Sequence, residues 1–524
     1  MDAPLREPVL LTPLDNFVPQ VGQYTRKILF FSNPGNDRDA IARHMRNAFA
    51  RMMDAIPWIA GTVTDIKHEH QHGRLAIAAP WKTLDDLLTV NHLNYLNYAE
   101  LKAQHFPIQS LLEEELWPQS QRTARPTLQA QINFIQSGII LAARAAHSVT
   151  DGTGLLTILN VWAAYCRGED GSLLLGPDSL DRGRLMSGPA AKLGDSTLYT
   201  ELPPSRKQAP GKGLTHTLSK SCEWVSTRMR TGLVRILRTF SDLITYRSIR
   251  MALRARKAID EGPRQTEVFF FSAARLRELK EAVTSSGNAD EKRASKAWIS
   301  THDAVISLLW CCITQSWNDG SYFDRDSNPD PLRRLLWQIA LRTTRPISVL
   351  RFYVDCRRFV KDPPLRSYLG NIVLPIALGG AFGDVGSTLD AVARYAYAIR
   401  RKFHEVDESL LMHSVGAFAA VPDITRIRLS RGAFPESRIS VNSLAAMNHY
   451  GTDWGREVGG RPERVRVAPF SVYPLCLVLP KIDAKDGWRE EECGLEVVVS
   501  LQRAHMGKLR RDPLFQSWAE WRCS

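Results

Sequence analysis

The seven residues Ala146-His147-Ser148-Val149-Thr150-Asp151-Gly152 join a strand-like run to a helix-like one. The stretch before them, QINFIQSGIILAARAAH at 131–147, holds two short apolar runs around Gln136-Ser137-Gly138, a hairpin signal. The stretch after them, 154–165, carries Leu155, Leu156, Ile158, Leu159 and Trp162 at helical spacing. A histidine at a strand end can be aimed into a cleft by a rigid element. Imidazole is the natural general base near neutral pH, because its unperturbed pKa is about 6.5. Asp151, four residues on, can fold back within the turn, and Gly152 is read as supplying the positive φ that a sharp turn often requires. No Ser or Cys stands in a Gly-x-Ser-x-Gly or similar nucleophile setting. The chemistry suggested is therefore direct: the histidine takes a proton from a substrate hydroxyl or amine, which attacks an activated acyl group. The same pattern also suits a His and Asp that only cap a strand-to-helix turn. With 13 histidines in the chain, His-x-x-x-Asp-Gly is expected about 0.04 times by chance.

Outward from this motif, strand and helix signals mix in both directions. The apolar run 28–31 reads as a strand and 38–56 as a helix. Further on, 268–271 reads as a buried strand, 272–283 as an amphipathic helix and 497–501 as a last strand. Ser300-Thr301-His302-Asp303 is a capping signal at the head of an apolar helix over 304–314. Between the halves lies ELPPSRKQAPGKG, opening at Glu201, a Pro/Gly/Lys cluster that reads as an exposed linker. The expected class is α/β or α+β, with one domain over 1–200, a basic crossover over 201–264 and a second domain over 265–524.

The 524 residues, 44% hydrophobic and 23% charged, exclude a disordered or low-complexity chain and suffice for two or three full cores. Eight cysteines with no Cys-x-x-Cys pair argue against a disulfide framework, a structural zinc site and a thioredoxin-like motif. Reduced thiols, no basic-then-apolar leader and no apolar run near 18 residues predict a soluble, cytoplasmic protein. Of the net charge 68 − 55 = +13, the stretch 201–264 supplies 14 − 5 = +9. There Leu233, Ile236, Leu237, Phe240, Leu243 and Ile244 form an apolar stripe at helical spacing, with Arg235, Arg238, Arg247 and Arg250 between. Three readings stand: a membrane-surface helix, a polyanion patch, or a solvated helix packing its stripe on the body of the protein. No zinc finger or RNA-recognition signature accompanies it, so nucleic acid is not expected as a partner.

The motif resembles the HxxxDG sequence of the CoA-dependent BAHD acyltransferase superfamily, and most of all its fungal branch, typified by trichothecene 3-O-acetyltransferase. Other segments resemble that branch in the same order. They are Leu11-Thr12-Pro13-Leu14-Asp15, Pro57-Trp58-Ile59-Ala60-Gly61, and Ser300-Thr301-His302-Asp303-Ala304 with Trp310. Val354-Asp355-Cys356-Arg357, Pro363-Pro364-Leu365 and Tyr368-Leu369-Gly370-Asn371 follow, and then Asp453-Trp454-Gly455 with Gly460-Arg461-Pro462. The likeness spans about residues 10 to 515, the basic stretch excepted.

The resemblance implies two chloramphenicol-acetyltransferase-like domains with the active-site channel between them, and His147 as the base. It implies that Asp151 and Gly152 are structural, with Asp151 turned from the substrate and paired with an arginine, for which Arg357 is the match. Asp453, Trp454 and Gly455 match the DFG motif and would shape the far side of the channel. Two departures occur there: Trp454 replaces Phe, and Arg456-Glu457 replaces the trailing Trp-Gly. The expected activity is O-acyl transfer, most simply acetyl transfer, from acyl-CoA as cosubstrate to a small secondary-metabolite alcohol. The expected enzyme is a monomer with no permanently bound cofactor, no metal and no membrane span; the basic stretch is expected to be a crossover with its stripe packed and its arginines solvated, with weak membrane-surface contact as the alternative. Alternatives are an amine acceptor, a carrier-protein-fed condensation enzyme, or a non-catalytic binding protein of the same fold. Condensation domains have a second histidine where this chain has Ala146. His68, His70 and His72 are read as an exposed hairpin, and His404 with Glu408 as one solvated helix face. His505 is read as packing, and Cys311-Cys312 as core.

Overall fold

The computed structural model describes residues 7–18, 24–33, 35, 37–111, 113–118, 125–192, 199–201, 264–287, 298–318, 347–362, 364–381, 383–429, 436–467 and 475–524. The first part of the chain holds β1 (Val9–Leu10), α1 (Pro13–Phe17), β2 (Tyr24–Ser32), α2 (Arg38–Ala55), β3 (Thr62–Ile66) and β4 (Arg74–Ala78). β5 (Leu88–Asn97), the expected hairpin β6 (Leu128–Gln136) and β7 (Gly138–Ala146), and α3 (Gly152–Cys166) complete it. The hairpin turns at Ser137, whose φ of 58° lies in the left-handed region. After β8 (Tyr199–Glu201) come β9 (Arg264–Ser272), α4 (Ala273–Ser286), α5 (Thr301–Asn318), β10 (Ile347–Asp355) and β11 (Val373–Ala381). Next are α6 (Leu389–His404), α7 (Glu408–Ala420), β12 (Ile427–Leu429), β13 (Glu436–Ser443) and β14 (Arg464–Arg466). β15 (Leu475–Val478), β16 (Gly494–Gln502), α8 (Arg503–Leu509) and β17 (Glu520–Cys523) end the chain.

Among the described residues these strands form two main sheets, ordered β14-β2-β7-β6-β5 and β11-β10-β13-β15-β16-β9-β17, and two small ones, β1-β4-β3 and β12-β8. α2 and α3 cover the first sheet. Trp162 meets Phe49 edge-on at 4.8 Å and donates Nε1–H to the Met45 carbonyl at 3.0 Å. On the second sheet α5 starts with the predicted cap: the Ser300 hydroxyl accepts from Asp303 N–H, and the Asp303 carboxylate accepts from Ser300 N–H at 2.7 Å. Cys311 and Cys312 are core on α5, and the buried His505 lies 3.1 Å from the Ser316 carbonyl. His68, His70 and His72 are all exposed in the β3–β4 connection, and His72 Nδ1 lies 3.1 Å from Asp423. Among the described residues no three metal-binding side chains converge.

Three expectations are corrected. His404 and Glu408 do not share a helix: α6 ends at His404, and Asp407 caps a new helix by accepting from Leu410 N–H at 2.8 Å. The strand at 494–502 is not the last, because β17 pairs with β9 at the sheet edge. The division of strands also does not follow the linear halves. β14 crosses to the first sheet and pairs antiparallel with β2, Arg464 opposite Phe30 and Arg466 opposite Ile28. The basic stretch, with its apolar stripe and Arg235, Arg238, Arg247 and Arg250, lies outside the described residues except at its ends, Glu201 in β8 and Arg264 in β9.

The crossing strand is riveted to the second sheet. Arg466 is wholly buried and donates to both oxygens of Glu496 on β16, at 2.7 and 3.3 Å, and to the carbonyls of His105 and Phe106. Burial alone would raise the Glu496 pKa, but Arg466, with Arg464 and Arg522, pulls it down to about 2. A depressed carboxylate contributes stability that is full above its unfolded value of 4.5 and lost as pH falls through about 2. Glu496→Gln should therefore cost about 3–5 kcal/mol of unfolding free energy near pH 7. That difference from wild type should close as the pH is lowered from 4.5 towards 2 in denaturant titrations.

Candidate active site

β7 ends at Ala146, and the chain turns at once: Val149 N–H donates to the Ala146 carbonyl at 2.8 Å. Asp151 is the N-cap of α3, its Oδ1 accepting from Thr153 N–H at 3.1 Å and Gly154 N–H at 2.9 Å. A carboxylate there also meets the positive end of the helix dipole. The same carboxylate turns to Arg357, which follows β10. Arg357 Nη1 donates to Oδ2 and Nη2 to Oδ1, both at 2.9 Å, a bidentate pair with both side chains buried. The remaining guanidinium N–H groups reach the Tyr368 carbonyl, the Gly370 carbonyl and Asp355 Oδ2, so all five donors have acceptors. Asp355 Oδ2 also accepts from the Thr153 hydroxyl at 2.8 Å, tying the first turn of α3 to the end of β10.

A second chain of bonds holds the turn from its other side. Asp15, fully buried in α1, accepts from the backbone and side-chain N–H of Asn371 at 3.0 and 2.8 Å and pairs with Arg182. Asn371 then donates to the His147 carbonyl at 2.8 Å, and Arg182 to the Val149 carbonyl at 2.7 Å. His147 is half-buried. Burial lowers its pKa from 6.5, and the charge of Lys27 acts the same way, against the opposing influence of its own backbone, Asp151 and Asn371.

Gly152 does not have the positive φ expected of it; it is the first residue of α3. Its missing side chain matters for a different reason. A Cβ there would lie 3.1 Å from the Met447 Cε of the segment after β13. Gly154, which sequence reading passed over, is tighter still, since a Cβ would stand 2.3 Å from the Leu369 carbonyl oxygen. The matched DFG residues lie away from this turn. Trp454 is wholly buried, edge-on to Trp162 at 5.2 Å and to Phe31 at 5.8 Å. Asp453 is exposed and caps its own loop, Oδ1 accepting from Gly455 N–H at 2.9 Å, and Gly455 takes a φ of +87°.

The structure thus brings His147, Asp151, Gly152 and Arg357 together and sets Asp453, Trp454 and Gly455 apart as a packed loop. Of the polar residues tied to this turn, Arg182 carried no sequence motif, whereas Asp15 belongs to the Leu11–Asp15 segment, where Thr12 and Asp15 also form a capping box.

Arg357→Met strands a buried carboxylate and should cost about 3–5 kcal/mol of stability. Asp151→Asn combined with Arg357→Met should recover part of that loss in a double-mutant cycle read by denaturant unfolding.

Comparison with known proteins bears on this arrangement. A model of the trichothecene 3-O-acetyltransferase-like N-terminal domain matches residues 23–166, and the Transferase family model matches residues 250–515. The acyltransferase easC of Emericella nidulans is 24% identical over 100% of this chain and 97% of its own. The O-acetyltransferase ptmV of Penicillium ochrochloron is 24% identical over 99% of this chain and 98% of its own. Among solved structures, F. graminearum TRI101 complexed with coenzyme A and deoxynivalenol superposes with a TM-score of 0.69 at 18% identity, over 98% of this chain and 100% of that one. That likeness gives the fold, and the family model gives the kinship: the chain belongs to the Transferase family and is an acyltransferase.

Proposed function

We propose that the protein moves an acyl group, most simply acetyl, from acyl-CoA to a hydroxyl of a small secondary metabolite, with His147 as general base. The observation that carries this reading is the division of labour within one turn. The Asp151 carboxylate is consumed by Arg357 and the head of α3, while the imidazole beside it carries no such pair. A His–Asp relay would need that carboxylate on the imidazole. The donor is argued from kinship: TRI101 structures are complexed with coenzyme A, and relatives aligned over almost the whole chain are an O-acetyltransferase and an O-acyltransferase.

In this mechanism the neutral imidazole takes the hydroxyl proton as the oxygen attacks the thioester carbonyl carbon. The C–O bond forms, the tetrahedral intermediate collapses, the C–S bond breaks, and the imidazolium returns its proton to the departing thiolate. A covalent cysteine route lacks a candidate among the described thiols. All are buried, and burial pushes Cys166, Cys356 and Cys476 up to about 12. The carrier-protein alternative is weakened at Ala146, a buried strand residue with no base to offer. Among the described residues no helix is long and apolar enough to cross a membrane.

His147→Ala should lower kcat by roughly 10²–10⁴ with little change in acyl-CoA affinity, measured by CoA release with a panel of alcohols. Near-wild-type turnover in that variant would refute the base assignment. Because burial lowers the imidazole from its ordinary value of 6.5, the acidic limb of kcat/KM should fall below pH 6.5. A limb centred above pH 7 would contradict it.

A further inference from the structure

α1 is five residues long and all five are buried, and it ties together three parts of the molecule. Asn16 Oδ1 accepts from Leu75 N–H of β4 at 2.9 Å, and Phe17 stacks on Phe418 of α7 with ring centroids 4.9 Å apart. The third contact is the turn that carries His147, and it runs through Asp15. Burial works against a carboxylate, so what Asp15 contributes lies in the groups it organises.

Each oxygen of Asp15 serves one side of that turn. Oδ1 accepts from Asn371 N–H at 3.0 Å and from the Asn371 carboxamide at 2.8 Å, and that carboxamide also donates to the His147 carbonyl at 2.8 Å. Oδ2 accepts from Thr12 N–H at 3.0 Å and pairs with Arg182, which donates to the Val149 carbonyl at 2.7 Å. The guanidinium lies over the rings of Trp58 and Tyr368, and a Cβ on Gly370 would stand 2.5 Å from its Nη1. The glycine therefore leaves open the path by which Arg182 reaches Asp15.

The carbonyls held in this way decide where the imidazole goes. The His147 side chain leaves a Cα flanked by two peptide planes. Val149 N–H fixes the plane before it, through the Ala146 carbonyl at 2.8 Å, and Asn371 fixes the plane after it. Among the described residues Asn371 is the only side chain that donates to the His147 carbonyl. Freeing that second plane lets the turn rock, and the Cα–Cβ bond swings the ring with it.

We propose that Asp15 is a positioning residue for His147, acting through the Asn371 carboxamide and the Arg182 guanidinium to set the angle at which the imidazole meets the acceptor hydroxyl. This rests on the reading of His147 as the base. The Leu11–Asp15 segment thereby serves turnover as well as helix capping.

The test uses two full-length variants. Asp15→Asn keeps the shape and removes the charge that holds Arg182, whereas Asn371→Ala cuts the last link and leaves the Asp15–Arg182 pair in place. Well below their melting transitions, both should lower kcat on the order of 10–100-fold, with KM for acyl-CoA within about twofold of wild type. The double variant should lose less than the product of the single losses, because the two residues act along one path. The His147 imidazole, followed by NMR with histidine-labelled protein and assigned through His147→Ala, should shift or broaden in each variant, while the exposed His68 and His70 stay where they were. A lowered melting transition with an unmoved His147 signal would make Asp15 a structural carboxylate and overturn the proposal. Losses that multiply in the double variant would overturn it as well. Asn371→Ala supplies the kinetic and NMR readouts if Asp15→Asn does not fold. The NMR signal needs no turnover, so a moved signal with wild-type kcat would uphold the link from Asp15 to His147 and tell against the base reading instead.

Discussion

The contact on which the rest of the site depends is the buried Asp151–Arg357 pair. Its net contribution to stability need not be large, because desolvating two charges offsets most of their attraction. What it supplies is definition. The carboxylate must satisfy the first N–H groups of α3 and the two arms of a guanidinium that is itself anchored on the carbonyls of Tyr368 and Gly370. A helix start in one half of the chain is thereby fixed to a strand end in the other. The Asp15–Asn371 link does the same to the His147 carbonyl. The imidazole stands on a turn gripped from both sides, the rigidity that the proposed proton transfer would need from it.

Legibility in the sequence follows the range of the interactions. The β6–β7 hairpin, the Ser300–Asp303 cap and the strand-to-helix turn are local devices, written in consecutive residues, and each forms where the residues predict it. Elements ran longer than their apolar cores, as β2 and α5 do, because caps and sheet pairing, not hydrophobicity, set their ends. The failures are of two kinds. At Gly152 the sequence marks a required glycine but not the reason, since Met447 arrives from nearly 300 positions away. At Lys27, which follows Arg26 and precedes the apolar run of β2, only the fold reveals that the side chain is buried.

The loop matched to the DFG motif shows how a family signature can be mainly architectural. Trp454 fills space between α3 and β2, and Asp453 closes a loop whose glycines take conformations forbidding to other residues. The substitution of Trp for Phe is absorbed by an aromatic cluster with Trp162 and Phe31, and Arg456-Glu457 occupy the turn that follows, with the Glu457 carbonyl accepting from Asn33 at 2.9 Å. This explains how the trailing residues can differ while the loop still returns the chain to the first sheet.

That return has a consequence for how the protein is made. β2 borders β14 on one side, so until residues 464–466 emerge the first sheet keeps an unpaired edge along Ile28–Phe30. At roughly 5–20 residues per second, translation leaves that edge open for about 20 to 90 seconds. Exposed edges invite pairing with other chains. The nascent N-terminal half is thus a natural client for chaperones at the ribosome, and a gene truncated before β14 would encode a sheet with an adhesive margin rather than an autonomous domain.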